Sequence, residues 1–253
     1  MVVDLSGKTA LITGGSGGLG RRIAKNLSSC GADVIVTYYN DKESAFSLVE
    51  EIKKEGKGAY AVYCDIRNEE SVNKMRDEIS ANFKMPDILC VNAVVQYKWF
   101  DILEQDPKDY YSQFESCVMQ LVYISKAFAP HLKEQKYGRI VVTNTECTML
   151  CEKGTSAYVA GKRGLDGVAK ILAKELGEYN ITVNQVAPGW VIHDKERKDG
   201  GYESTDYIKE VPLGHRGEDI DIANAVTFLA SDYARFITGA FLPVCGGRAM
   251  NII

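Results

Sequence analysis

The sequence predicts an α/β protein: one doubly wound, parallel β-sheet of about seven strands with helices on both faces. Three observations carry this. Short β-branched runs alternate with helical stretches along the chain, and such alternation calls for a parallel sheet with helical crossovers. A glycine-rich run, Thr13-Gly14-Gly15-Ser16-Gly17-Gly18-Leu19-Gly20, separates the first strand from the first helix. The length of 253 residues, 45% of them hydrophobic, suits one large domain with a substantial core.

The elements follow in order. Residues 8–13 read as the first strand and 18–29 as the first helix. Val34-Ile35-Val36-Thr37-Tyr38 is a β-branched second strand, followed by a helix over 42–55. A third strand covers 59–63 and a helix 69–83. A strand over 87–91 leads to one long helix, 107–132. Strand 139–144, helix 156–176 and strand 182–186 come next. A helix over 220–230 and a strand over 241–244 close the chain. The charged, glycine-containing stretch 193–204 reads as a mobile loop inside the single domain, not as a boundary. In such sheets ligands sit beyond the carboxyl ends of the strands, near the point where strand order reverses.

Several function classes are disfavoured. A net charge of −4 offers no basic footprint for nucleic acid. No run of 18 apolar residues is present, so no membrane span is expected. The first residues lack the basic-then-apolar plan of a signal peptide, which points to a cytoplasmic protein. Seven scattered cysteines, an odd number, do not suggest a disulfide framework. Cys147 and Cys151 lack the further ligands a metal site requires, so no metal is expected.

The glycine run has the context of a dinucleotide site: a strand before it and a helix after it. Glycine lets the backbone turn sharply and approach a pyrophosphate, and the helix N-terminus offers free N–H groups. Two registers fit. Gly15, Gly17 and Gly20 satisfy G-x-G-x-x-G, while Gly14, Gly18 and Gly20 satisfy T-G-x-x-x-G-x-G. Downstream, Tyr158 and Lys162 are four residues apart, hence on one face of a helix. A phenol has a pKa of about 10. A nearby ammonium lowers that value, so the pair is suited to proton transfer. A nucleotide loop plus a Tyr/Lys pair indicates an NAD(P)(H)-dependent oxidoreductase acting on a carbonyl or a secondary alcohol.

The second glycine register resembles the short-chain dehydrogenase/reductase family, in its branch of about 250 residues with a Rossmann-type fold. The resemblance covers nearly the whole chain. It runs through Cys64-Asp65-Ile66, Val91-Asn92-Ala93, Gly138-Arg139-Ile140-Val141, Tyr158 with Lys162, Val183 to Gly189, Ile237-Thr238-Gly239 and Gly246-Gly247. It implies a cofactor site made by Gly14, Ser16, Gly17, Gly18, Leu19 and Gly20, with Tyr38 at the end of the second strand. Asp65 and Ile66 would contact the adenine, and Asn92 and Ala93 would line the ribose side. Pro188, Gly189, Val191 and His193 would complete the nicotinamide end. Tyr158 would be the general acid/base, and Lys162 would assist it and bind the nicotinamide ribose. The family commonly forms homo-oligomers by pairing its long helices, so a tetramer or dimer is expected. Ala157, Ala160, Gly161, Gly164 and Gly167 would permit close approach of such helices.

The second strand ends in Thr37-Tyr38-Tyr39-Asn40, with no acid until Asp41. A carboxylate at that end would bind the ribose hydroxyls of NAD and repel a 2′-phosphate. Its absence favours NADP(H), with NAD(H) as the alternative. The arginine that NADP-binding relatives often carry in the glycine loop is replaced by Gly17, leaving Arg21 or Arg22 to reach the phosphate.

Three departures surround the expected reaction centre. Thr145 stands where the family has a serine that orients the substrate oxygen. It keeps the hydroxyl but adds a methyl group. Cys117 aligns with an asparagine that serves a proton relay. His193 aligns with a threonine that bonds the nicotinamide amide. The substrate loop is placed at about 189–215. Trp99, Trp190 and Met149 are candidates for an apolar substrate face, and Lys98 and Glu146 for polar contacts. A ketone reductase or alcohol dehydrogenase leads, for example on a 3-oxoacyl thioester. An enoyl reductase is disfavoured because the resembling branch with that activity spaces its Tyr and Lys further apart. The competing class is a catalytically weakened or non-catalytic dinucleotide-binding module acting as a sensor or scaffold.

Overall fold

The computed structural model describes residues 2–198 and 205–250. Its strands are β1 Thr9–Ile12, β2 Asp33–Tyr38, β3 Ala59–Tyr63, β4 Ile88–Val91, β5 Gly138–Thr143, β6 Ile181–Pro188 and β7 Phe241–Val244. They form one parallel sheet in the order β3-β2-β1-β4-β5-β6-β7. The chain winds outward from β1 to β3, returns to the middle, and winds the other way from β4. The reversal lies between β1 and β4, so a crevice opens at their carboxyl ends.

Alternation along the strands explains the two layers. Ile12, Val34 and Val36 face one core with α1 (Gly18–Ser29), α2 (Lys42–Lys54) and α10 (Asp219–Ala230). Leu11 and Ile35 face the other with α3 (Glu69–Asn82), α5 (Gln120–Gln135) and α7 (Ser156–Leu176). Successive side chains of a strand point to opposite faces, and a sheet covered on both faces needs both sets apolar.

The long helix expected over 107–132 is three pieces. α4 (Pro107–Gln113) passes into a π-helical turn, Phe114–Met119, and then into α5. The buried carboxamides of Gln113 and Gln120 flank that turn. Gln113 donates to Val95 O at 2.8 Å, and Gln120 donates to Ala93 O at 2.8 Å and to Ser116 O. Polar side chains bonded to backbone accommodate the inserted residue of a π-bulge, a feature common at functional sites. Nothing in the apolar spacing of 107–132 announces it. α7 packs closely here: a Cβ on Gly161 would lie 2.8 Å from Gln113 O, and one on Gly164 2.8 Å from a Val118 methyl. Those small residues therefore serve packing within the chain, while Ala160 and Gly167 stay exposed.

Short helices also replace stretches that read as loop: α6 (Cys147–Leu150), α8 (Asp194–Lys198) and α9 (Thr205–Lys209). Residues 199–204 of the expected mobile loop lie outside the described residues. Among the described residues no helix is long and apolar enough to cross a membrane.

Candidate active site

A cleft of about 840 Å³ opens at the reversal point. Thr13, at the end of β1, holds its two walls together. Its buried hydroxyl accepts from the backbone N–H groups of Asn92 (2.9 Å) and Ala93 (3.1 Å) and donates to Gln120 Oε1 (2.7 Å). The glycine loop lies against this junction. Gly14 N donates to Thr37 Oγ1 at 3.0 Å, and a Cβ on Gly14 would lie 3.1 Å from Ala93. A Cβ on Gly20 would lie only 2.2 Å from the Gly14 carbonyl oxygen. That contact is backbone, so no rotamer relieves it. The T-G-x-x-x-G-x-G register thus has a steric reason.

α1 starts from Gly17 with no side-chain cap and no acid in its first turn, and the space at Gly17 and Gly18 is open. Unpaired N–H groups at a helix start, with the positive end of the helix dipole and no competing carboxylate, suit a phosphate. The residues present therefore fit a dinucleotide.

At the adenosine end, β2 finishes at Tyr38 as expected. Tyr38 and Tyr39 both pack on Tyr63, with centroids 6.0 Å apart in each pair. The Asp41 carboxylate caps α2 by accepting from Ser44 N at 3.0 Å. Arg21 and Arg22 do not serve this end. Arg21 pairs with Glu51 and bonds Ser44 O, and Arg22 pairs with Asp219 at 3.1 Å. Helical rotation carries both onto the face that packs against neighbouring helices. The cation lining this end is Arg67, a residue the sequence reading passed over. It meets Asp65 through Nε and Nη2, both at 2.9 Å, and its guanidinium lies 5.2 Å from the Tyr39 ring centroid. That ion pair holds the Asp65 carboxyl below its ordinary range, the Arg67 hydrogen bond being the largest cause.

At the other end, Asn144 locks β5, β6 and α7 together. Its Nδ2 donates to Gln185 Oε1 (2.7 Å) and Lys162 O (3.2 Å), and its Oδ1 accepts from Thr145 N (2.9 Å). This fixes Thr145 at the cleft wall that Tyr158 also lines. Tyr158 is half-buried and lines the cleft. Its backbone N–H donates to the Tyr97 hydroxyl at 2.7 Å, and the Trp99 ring stacks on it with centroids 5.9 Å apart. Lys162 is buried, its Nζ donating to Thr143 O at 2.6 Å and lying 5.8 Å from the Tyr158 ring centroid.

The titration of the pair differs from expectation. Burial, the largest cause, pushes the Tyr158 phenol above its ordinary range, and burial pushes the Lys162 ammonium down. The ammonium points at a carbonyl oxygen rather than at the phenol, so desolvation outweighs charge stabilisation. Cys117, in the π-helical turn, and Cys147 are both buried near this pair. Burial pushes both thiols up.

The cleft brings together nearly all the residues assigned to it: Gly14, Ser16, Gly17, Gly18, Leu19, Tyr38, Asp65, Ile66, Asn92, Ala93, Thr145, Tyr158, Lys162, Pro188, Gly189 and His193. Gly20 lies beneath the loop, and Val191 is buried in the core layer of α1 and α10. His193 Nδ1 is buried with no partner among the described residues. Lys98 is exposed and Glu146 is buried, and neither lines the cleft. Glu146 turns to Tyr207 (2.9 Å) and to Arg248 (2.9 Å), a second residue the sequence reading missed.

Comparison with known proteins follows the same lines. Residues 14–249 match a family model described as enoyl-(acyl carrier protein) reductase. The chain is 33% identical to the 3-oxoacyl-(acyl-carrier-protein) reductase FabG of Staphylococcus epidermidis, over 96% of this chain and 99% of that protein. Two solved structures from Burkholderia cenocepacia superimpose closely. A short-chain dehydrogenase in complex with NADP has a TM-score of 0.87 and 32% identity, covering 96% of this chain and 98% of that one. A gluconate 5-dehydrogenase in complex with NADP and tartrate has a TM-score of 0.89 and 26% identity, covering 97% and 96%.

Proposed function

The chain belongs to the short-chain dehydrogenase/reductase family, and on that premise we propose that it is an NADP(H)-dependent reductase of a ketone, working on the carbonyl/secondary-alcohol couple. One observation carries the reading: Thr145, Tyr158 and Lys162 converge at one end of a cleft whose other end is a glycine cradle fit for a pyrophosphate. Four-residue spacing of Tyr158 and Lys162 and the curated 3-oxoacyl reductase relatives support a ketone, not an enoyl group, as the reacting centre. A 3-oxoacyl thioester is the substrate class to try first.

Bound NADPH would supply the hydride. The glycine loop and the start of α1 would hold its pyrophosphate, His193 Nδ1 would bond its amide, and Lys162 would bind its nicotinamide ribose. Arg67 would receive the 2′-phosphate, because it is the cation at the adenosine end and no carboxylate ends β2. Thr145 donates a hydrogen bond to the substrate carbonyl oxygen, polarising it and fixing its position. Tyr158 Oη then gives its proton to that same oxygen as the alcohol forms. A phenol held protonated by burial is a donor throughout the neutral range. Trp99 stacks on the Tyr158 ring and helps fix its position.

Gly189 and His193, at the start of the substrate loop, border the substrate. A cytoplasmic homo-oligomer completes the reading. Seven free thiols agree with a reducing compartment. Exposed Tyr111, Phe114 and Ile171 on α4, the π-helical turn and α7, together with fully exposed Phe236, supply apolar surface for symmetric association. The test is an assay of purified enzyme with NADPH and a panel of ketones and 3-oxoacyl thioesters, with the alcohol identified by mass spectrometry. No alcohol from any member of the panel would reject the reading.

A further inference from the structure

Glu146, Tyr207 and Arg248 come from three distant parts of the chain and meet behind Gly189, on the back of the cleft wall. Glu146 immediately follows Thr145, Tyr207 lies in α9 of the substrate loop, and Arg248 follows the C-terminal Gly246-Gly247 turn. The Arg248 side chain is only 7% exposed and is bound by three carboxylates: Glu146 Oε1 at 2.9 Å, Glu210 Oε2 at 2.6 Å, and Glu152. Its guanidinium also lies 4.6 Å from the Tyr207 ring centroid. The Tyr207 hydroxyl donates to Glu146 Oε1 at 2.9 Å and accepts from Trp190 N at 2.8 Å. A Cβ on Gly189 would lie 2.4 Å from that hydroxyl and 3.1 Å from Glu146 Oε2, so the cluster touches the backbone that lines the cleft.

We propose that Arg248 is a positioning residue that fastens α9 and Glu210 to Glu146, and so holds in place Gly189 and Thr145, which line the reacting end of the cleft. This rests on the reductase reading for its kinetic consequence, though not for the fastening itself. Two attachments hold the loop, and they differ in kind. Its end, Val211 to Leu213, is seated on the C-terminal turn: Leu213 N donates to Gly246 O at 3.2 Å, and a Cβ on Gly246, at φ +63°, would strike Val211. That seat is backbone and apolar contact. Its middle, α9 with Glu210, is held by Arg248. The charge balance makes this second hold conditional. Three carboxylates share one guanidinium, and Glu146 is 3% exposed. Without Arg248 the buried Glu146 carboxylate loses its cation and faces two others, Glu152 and Glu210, that already reach water, so α9 and the wall loosen to hydrate Glu146.

The experiment uses the full chain and two readouts. Amide hydrogen exchange is followed over residues 189–192 and 205–211 with NADPH bound. Arg248→Met is expected to speed exchange there by roughly tenfold or more, with the central strands unchanged. In steady state, KM for the carbonyl substrate rises by roughly tenfold while the Kd of NADPH stays within about twofold, because the attachment lies at the substrate end. Arg248→Lys is expected to recover part of both effects. Should Arg248→Met not fold, Tyr207→Phe is the second variant. It keeps the ring under Arg248 but loses both hydroxyl bonds, and a smaller change in the same direction is expected. Unchanged exchange over 205–211 would overturn the proposal, as would a loss of NADPH affinity equal to the rise in KM. Exchange needs no turnover, so a parent enzyme inactive on every ketone would reject the reductase reading and still leave the fastening decided.

Discussion

The two ends of the cleft are held in shape by different means. At the cofactor end, backbone approaches backbone. Gly20 sits under the Gly14 carbonyl, Gly14 lies against Ala93, and the buried Thr13 hydroxyl ties the loop after β1 to the loop after β4. At the other end, behind Gly189, side chains from residues 146, 207, 210 and 248 meet through charge and ring contacts. At Gly14 and Gly20 the first construction leaves no room for an added atom. The second keeps its shape only while its charges remain matched. The first end is shaped by backbone that no rotamer change can relieve, whereas the wall at the second end is secured by a few replaceable side chains.

This contrast can be broken or sharpened by substitution. The largest effect is expected inside the reaction centre. Thr145→Ala should lose about 10²–10³-fold in kcat/KM, the usual cost of removing a donor to a developing oxyanion, while Thr145→Ser stays close to the parent. Equal activity of the alanine variant and the parent would take the hydroxyl out of the mechanism.

Within the glycine loop, Gly20→Ala should destabilise the fold by about 1–3 kcal/mol, as overpacking against backbone does, and weaken NADPH binding. Gly17→Ala meets open space and should leave Tm unchanged. Identical melting curves for the two variants would mean that the close approach is not the reason for the motif.

At the adenosine end, Arg67→Met should weaken NADPH by about tenfold, or about 1.4 kcal/mol, and leave NADH nearly unaffected. Arg21→Ala should change neither, since Arg21 is paired with Glu51. Parallel losses for both cofactors in Arg67→Met would assign Arg67 to the adenine instead of the phosphate.

The smallest effect is a pH dependence. Burial raises the Tyr158 phenol above its ordinary range, so its protonated form persists to higher pH. The kcat/KM for ketone reduction should therefore stay flat from about pH 7 to 9, below the ordinary phenol pKa of about 10. Alcohol oxidation needs the phenolate and should keep rising across that interval. A reduction rate that falls through neutrality would show the phenol ionising early.

What was legible in the sequence divides along the same line. Strand-and-helix alternation located the sheet, because each strand is apolar on both faces and each connection is a crossover. Short-range spacing located Gly14, Gly18, Gly20, Tyr158 and Lys162, because backbone turns and helix faces act over a few residues. The π-helical turn was not legible, since it depends on where the Gln113 and Gln120 carboxamides find backbone partners. Arg21 and Arg22 were misplaced because helix rotation and the pull of Glu51 and Asp219 are tertiary facts. Arg67 adjoins Asp65 and Ile66, two residues that the sequence singles out, and its charge beside Asp65 was an available signal. Arg248 and Glu146 lie 102 residues apart. No local pattern joins them.

Single-turnover oxidation of enzyme-bound NADPH, followed by its nicotinamide absorbance with ketone in excess, tests the central claim most directly when parent and Tyr158→Phe are run together. NADPH titrations should give both proteins the same Kd. The parent should then lose the absorbance in a rapid phase, and the variant about 10²–10⁴-fold more slowly. Equal rates in the two proteins, with cofactor bound to both, would contradict Tyr158 as the proton donor and with it the chemistry assigned to the cleft.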